Sequence, residues 1–424
     1  MGQQAKGCGI WNVRSRLART VQTIKEGRLV IGFIGGSITD GRPRHNWPEA
    51  VTAWFVDRFQ GIKIVVENAA IGATGSDLAV FRAKRDLLDR GCDLIFVDYA
   101  VNDEGVPTQR RMATREGLIR KLLASEGDEI PNSNVATDGK AMDRSINVME
   151  LCPDVVLVYT FSQSMSEPML AGQVPPSIAE FEQLAMHYNL NSIWMGKYAY
   201  GEVQRGLMRW EEWLPDGLHP TSRGSYSYAQ SVIAFLEKQL VNNVRGNNNE
   251  NNNNDSDNGN NQNRFLSTEP STAIKELPLL SHNLPEPLDA SHWQSAKVMS
   301  LDSICTEGPW VMKRWLDYEW FDHVLETNTI GAKLSFTFKG RGVALAFDFG
   351  KASADFKYRI DKGDWNVVRL DRPDWVGSSG WLRLSTLAET LAAGEHFVEL
   401  EVVHSTDPAC QGFSFRLGLV GIIQ

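Results

Sequence analysis

Ser37, Asp216 and His219 carry a hydroxyl, a carboxylate and an imidazole, the three groups from which nucleophilic acyl transfer is assembled. Ser37 stands in Gly35-Gly36-Ser37-Ile38-Thr39, directly after an apolar run. Asp216 and His219 share the short stretch Asp216-Gly217-Leu218-His219-Pro220, which one tight turn could hold. Gly72, in Ile71-Gly72-Ala73-Thr74, and Asn102, in Val101-Asn102-Asp103-Glu104, follow two further apolar runs. Plainer readings stand beside each of these. Gly35-Gly36-Ser37 could be a phosphate-cradling turn, Gly72 a turn residue, Asn102 a helix cap and His219-Pro220 a surface turn. The phosphate reading lacks Gly-Lys-Ser/Thr and Gly-x-Gly-x-x-Gly, and Thr39 replaces the last glycine of a Gly-x-Ser-x-Gly elbow.

The elements around these residues alternate. Leu29–Ile34 is continuously apolar, as a strand covered on both faces should be. Trp47, Val51, Trp54 and Phe55 recur at helical spacing. Strands are expected at Ile62–Val66, Asp93–Val97, Val155–Tyr159 and Ser192–Trp194. Helices are expected from Ser76 to about Arg90, from Ile178 to Tyr188 and from Thr221 to Leu240. The alternation predicts a parallel sheet with helices on both sides. Every candidate residue then falls at the carboxyl ends of strands or before the closing helix, the edge where open α/β sheets bind ligands. Residues 125–149 are polar and unpatterned and read as a surface insertion.

A compositional break divides the chain. Between Asn242 and Asn263, 13 of 22 residues are Asn. Such a stretch cannot bury enough apolar surface to offset its ordering entropy. The expected organisation is a first domain over 12–241, a linker over 242–289 that also takes in several prolines, and a second domain over 290–424. The tract suggests that the two domains fold separately. In the second domain, paired strands are expected at 333–338 with 343–348 and at 356–360 with 366–368, and further strands at 396–403 and 413–423. Short strands at regular spacing with little helix predict an all-β sandwich. This domain holds seven of the 13 tryptophans; Trp375 and Trp381 bracket a Gly/Ser loop and are candidates for stacking on sugar rings.

Taken in order, Gly-Gly-Ser, Gly72, Asn-Asp and Asp-x-x-His resemble the SGNH (GDSL-type) hydrolases over about Leu29 to Leu240. The resemblance implies a three-layer α/β/α, flavodoxin-like fold. It also implies Ser37 as nucleophile, His219 as general base and Asp216 as its partner. The oxyanion would be held by the backbone of Ser37 and Gly72 and the amide of Asn102. The second domain loosely resembles the jelly-roll accessory domains of carbohydrate O-acetylesterases in that superfamily, through Tyr358-Arg359-Ile360-Asp361 and Ala393-Gly394-Glu395-His396. An acetylated sugar or oligosaccharide is the substrate so implied. A short-chain lipid esterase or thioesterase, and a non-catalytic carbohydrate-binding protein, are the alternatives. His45 and Trp47 are candidates for the substrate entrance, and His187 is a rival for the base.

Composition narrows the partners. A net charge of −9 in 424 residues argues against nucleic acid or an anionic membrane. No apolar run is long enough to span a bilayer. Residues 1–27 lack a signal-peptide core, and five scattered cysteines read as reduced thiols, so a cytoplasmic protein is expected. No His/Cys/Asp/Glu grouping has ligand spacing, so neither a metal nor a cofactor is expected.

Overall fold

The structure is a computed structural model that describes residues 8–41, 46–124, 152–241, 276–280 and 283–424. His45, the insertion at 125–149 and the Asn-rich tract lie outside the described residues.

The first domain opens with β1 (Trp11–Asn12), α1 (Ala18–Lys25), β2 (Arg28–Gly35) and the one-turn α2 (Ser37–Asp40). Then come α3 (Trp47–Arg58), β3 (Lys63–Asn68), α4 (Ser76–Ala83), β4 (Leu94–Asp98) and α5 (Thr108–Leu123). It ends with β5 (Asp154–Val158), α6 (Ser166–Leu170), α7 (Pro176–His187), β6 (Asn191–Ile193), α8 (Met195–Gln204), α9 (Trp210–Trp213) and α10 (Ser222–Leu240). The sheet order is β1-β6-β5-β4-β2-β3, parallel except for β1, an antiparallel edge strand that the sequence pattern did not announce. Every residue of β4 and β5 is buried, because helices cover both faces. Helix α5 packs on α4 and α7, and α10 packs on α3 and α8. The chain reverses its strand order between β2 and β4, so a crevice opens at their carboxyl ends. The helix expected to run from Ser76 to Arg90 is α only to Ala83 and continues as a π-turn over Lys84–Leu88. Among the described residues no helix is long and apolar enough to cross a membrane, and all five cysteines are free.

The second domain is a β-sandwich. It begins with β7 (Lys297–Met299), β8 (Cys305–Glu307), β9 (Val311–Lys313), β10 (Val324–Thr327), β11 (Lys333–Gly340) and β12 (Gly342–Asp348). The rest are β13 (Asp355–Ile360), β14 (Asn366–Val368), β15 (Leu382–Ala388), β16 (Gly394–Val403) and β17 (Phe415–Ile423). One sheet runs β15-β12-β17-β10-β9 with β7 also paired to β17, and the other runs β14-β13-β16-β11-β8. Their inner faces meet in a core that includes Phe336, Val343, Leu345, Phe347, Phe356, Val398 and Leu417.

The strand β12 is buried along its whole length, which a two-layer sandwich alone would not require. Its alternate residues explain this. Val343, Leu345 and Phe347 face the sandwich core, whereas Ala344 and Ala346 join the apolar cluster of the first domain, together with Leu382, Leu419 and Ile423. The first sheet is therefore the middle layer between the second sheet and helices α4 and α5. Trp293 is buried there, 5.7 Å from Phe81 between ring centroids. Residues 286–293 also bond to the first domain: Leu288 and Asp289 donate their N–H groups to Glu116, and Trp293 N–H donates to Ala113 O. Arg110 pairs with Glu389, and Arg85 donates to Trp320 O. The domains are thus joined by an apolar interface, where the Asn-rich boundary had suggested separate folding.

Candidate active site

Strand β2 delivers Ser37 to the crevice. Ile71 N–H bonds Gly35 O at 3.0 Å, which ties the Ser37 turn to the Gly72 loop. Gly36 leaves room for the Asn102 amide: a Cβ there would fall 2.1 Å from Asn102 Oδ1 and 2.2 Å from its Nδ2, and the amide would have to shift. The Asn102 amide consequently lies against the backbone immediately before Ser37. A Cβ built on Gly72 would lie 3.7 Å from Ser37 Cβ, so that loop also borders the serine. Among the described residues, the N–H groups of Ser37 and Gly72 and the Asn102 amide make no hydrogen bond.

The Asn102 loop is clamped from behind. Asp103 accepts the Ser76 N–H at 2.9 Å, at the start of α4, and the Arg115 Nε–H at 2.8 Å, from α5. Arg115 is fully buried, stacks over Phe181 at 3.9 Å, and donates to Tyr99 O and Ser177. A buried ion pair in which each guanidinium nitrogen is hydrogen-bonded fixes this loop in one place.

The loop before α10 supplies the other two groups. Asp216 Oδ1 accepts the Leu218 N–H at 2.9 Å and the His219 N–H at 2.7 Å, and Oδ2 lies 2.8 Å from His219 Nδ1. His219 Nε2 lies 2.9 Å from Ser37 Oγ, across 182 residues of sequence. With Nδ1 donating to the carboxylate, Nε2 is left as the acceptor for the serine proton. Partial burial raises the Asp216 carboxyl, but the backbone and ring N–H groups of His219 and the Leu218 N–H outweigh it and hold it below the usual range. Gln163 N–H donates to Gly217 O at 2.8 Å, and Thr221 N–H to Trp213 O at 2.9 Å, anchoring both ends of the loop. The imidazole and its carboxylate remain open to solvent, at 47% and 55% exposure.

Ser37, Gly72, Asn102, Asp216 and His219 thus converge. Trp47 does not join them, which corrects the expectation that it lines the substrate entrance. Its ring is fully buried against Phe33 and Phe96, and its Nε1–H donates to Thr39 Oγ1 at 3.1 Å. Helical spacing identified its face but not that the face turned inward. His187 lies 2.7 Å from Glu286 O through Nε2, a structural bond. Trp375 is 57% exposed and packs edge-to-face on half-buried Trp381 at 5.0 Å, at the rim of the sandwich.

Two groups near the site were not singled out from the sequence. Asp98, at the end of β4, accepts from Thr39 Oγ1 at 2.8 Å and from Thr160 Oγ1 at 3.0 Å. Burial pushes its carboxyl up to about 6 against those two bonds. Glu104, two residues past Asn102, accepts from Ser162 and Ser164. An acidic residue closing an apolar strand is the only signal that Asp98 offered.

No protein-family model matches the chain, and no curated protein matches it. Solved structures do. Two crystal structures of a two-domain esterase (CEX) active on acetylated mannans, one co-crystallized with mannopentaose, align over 97% of this chain and 96% of theirs, with 21% identity and a TM-score of 0.70. A structure of Axe2, an acetyl xylan esterase from Geobacillus stearothermophilus, aligns over 49% of this chain and 93% of its own, with 17% identity and a TM-score of 0.36. Over nearly its whole length, this chain has the fold of that two-domain esterase.

Proposed function

We propose that this protein is a serine-dependent carboxylic ester hydrolase that removes O-acetyl groups from a carbohydrate. The observation that carries the reading is the line Ser37 Oγ, His219 Nε2, His219 Nδ1, Asp216 Oδ2, with contacts of 2.9 and 2.8 Å, beside three N–H donors that make no hydrogen bond among the described residues. His219 takes the Ser37 proton as Oγ attacks the ester carbonyl. The carbonyl oxygen gains negative charge, which the Ser37 and Gly72 N–H groups and the Asn102 amide stabilise without reorganising. One such donor is typically worth about 3 kcal/mol of activation energy. Asp216 keeps the ring in the tautomer that accepts, and stabilises the imidazolium. His219 then gives the proton to the leaving alcohol, and water releases the acyl group by the same steps.

The acetyl preference is supported by the openness of the site. The large cavity of about 1690 Å³ lies between the domains and touches none of Ser37, Gly72, Asn102, Asp216 or His219. Phe33, Ile34 and Ile38, the large apolar side chains nearest the serine in sequence, are buried in the core, as is Trp47. The carbohydrate assignment rests on exposed Trp375 packed on half-buried Trp381 and on the fold shared with an esterase active on acetylated mannans. Ser37→Ala in the full-length protein should abolish hydrolysis of p-nitrophenyl acetate, and a serine-directed phosphonate should label Ser37. A folded Ser37→Ala protein that keeps its rate would overturn the mechanism.

A further inference from the structure

Glu104 is a half-buried carboxylate beside the candidate site that makes no ion pair among the described residues. Holding a charge partly out of water without a cation is costly unless hydrogen bonds compensate it. Its partners are hydroxyls. Ser162 Oγ donates at 2.8 Å and Ser164 Oγ at 2.9 Å, and the two serine oxygens lie 2.6 Å apart. The two nearest guanidiniums along the chain are committed elsewhere: Arg110 pairs with Glu389, and Arg111 binds the Glu180 carboxylate and only the backbone oxygen of Glu104.

The position of this cluster follows from its two neighbours. On one side Glu104 belongs to the loop whose Asn102 lies against Gly36. On the other, the residue between the two serines, Gln163, donates its N–H to Gly217, inside the Asp216–His219 turn. Glu104 therefore bridges the loop that faces the ester carbonyl and the loop that protonates the leaving alcohol. A carboxylate offers about four lone-pair sites, and two serine hydroxyls leave acceptor capacity over. Ser164 and Gln163 are exposed, so this edge is open to a ligand.

We propose that Glu104, with Ser162 and Ser164, forms a subsite for a hydroxyl group on the alcohol half of the ester, next to the oxygen released at His219. The inference rests on the esterase reading of the site and adds its specificity: the alcohol is a polyol or sugar rather than a hydrocarbon chain. A site built around a hydroxyl discriminates against an analogue that lacks it, because its polar groups are then left unpaired.

The test compares the monoacetate of a vicinal cyclohexanediol with cyclohexyl acetate, using the full-length protein. The wild type should prefer the hydroxyl-bearing ester by about tenfold or more in kcat/KM. Glu104→Gln should reduce that preference at least fivefold, chiefly through KM for the diol ester. Ser164→Ala, at an exposed position, should move it the same way if the first variant folds poorly. Equal rates for both esters in the wild type would overturn the proposal. So would a Glu104→Gln protein that slows both in proportion, the signature of a purely structural role. Wild-type protein that cleaves p-nitrophenyl acetate but shows no preference removes the subsite alone. Failure to cleave any of the three esters removes the esterase reading with it.

Discussion

Phe81 on α4 and Gly421 on β17 meet so closely that a Cβ at position 421 would lie 2.6 Å from the phenyl ring. Phe81 is 4% exposed and is hemmed in by Trp293, so the ring has little room to withdraw. The contact is where the middle sheet of the molecule touches the first domain. Gly421→Ala should destabilise the protein by about 1–3 kcal/mol through overpacking, read as a lower Tm. A chain ending at Leu240 should expose Phe81 and the α5 face around Gly117, and should aggregate or melt well below the full-length protein. Separate transitions for the two domains, with the truncated chain as stable as the whole, would contradict this.

Asp216→Asn should leave the Ser37 turn in place but favour the wrong imidazole tautomer. A fall in kcat of about a thousandfold or more is expected, by analogy with other Ser-His-Asp sites. The Asp216 carboxylate should stay ionised below the usual carboxylate range, since the His219 and Leu218 N–H groups hold it there. A pH–rate profile of kcat/KM should therefore show no inflection from Asp216 down to about the ordinary carboxylate range of ~4.

Asp98 gives a stability prediction with a definite sign. Burial raises its carboxyl to about 6 in the folded protein, against ~3.9 in the unfolded chain. The folded state thus binds the proton more tightly. The contribution of this group is most favourable below pH ~4 and is lost as pH rises through about 6. Asp98→Asn removes the titration, so its stability relative to wild type should increase from pH 4.5 to pH 7 by on the order of 2 kcal/mol. Urea unfolding at the two pH values measures it. Because Asp98 links Thr39 to Thr160, kcat should fall severalfold in the same variant.

Trp375→Ala with Trp381→Ala should weaken binding of an acetylated oligosaccharide, raising KM severalfold. Trp375 is 57% exposed, and the pair forms an apolar ledge at the sandwich rim. Hydrolysis of p-nitrophenyl acetate should change little, since neither ring contacts the Ser37 site among the described residues. Unchanged oligosaccharide kinetics would remove the second domain from substrate binding.

Short-range signals were the ones that could be read without coordinates. Leu29–Ile34 and Asp93–Val97 read as covered strands because, Asp93 apart, they carry no polar side chain, and strands followed by Gly-Gly-Ser and Asn-Asp put those residues on one edge of a parallel sheet. Asp216 and His219 were legible as a pair because three residues of a tight turn bring their side chains together. Tertiary structure alone decided what depends on direction and on distant partners. Trp47 has the spacing of a helix face, but only packing against Phe33 and Phe96 shows that the face is inward. Glu104 and Ser162 are separated by 58 residues, and Asp98 and Thr39 by 59, so no local pattern records either bond. The turn at Gly340–Gly342 announced β12 as a strand, though the strands it joins lie in different sheets; that Ala344 and Ala346 are covered by the first domain depends on residues such as Phe81, far away in the chain. Periodicity reports that a side chain is hidden, and only the fold supplies what it is hidden against.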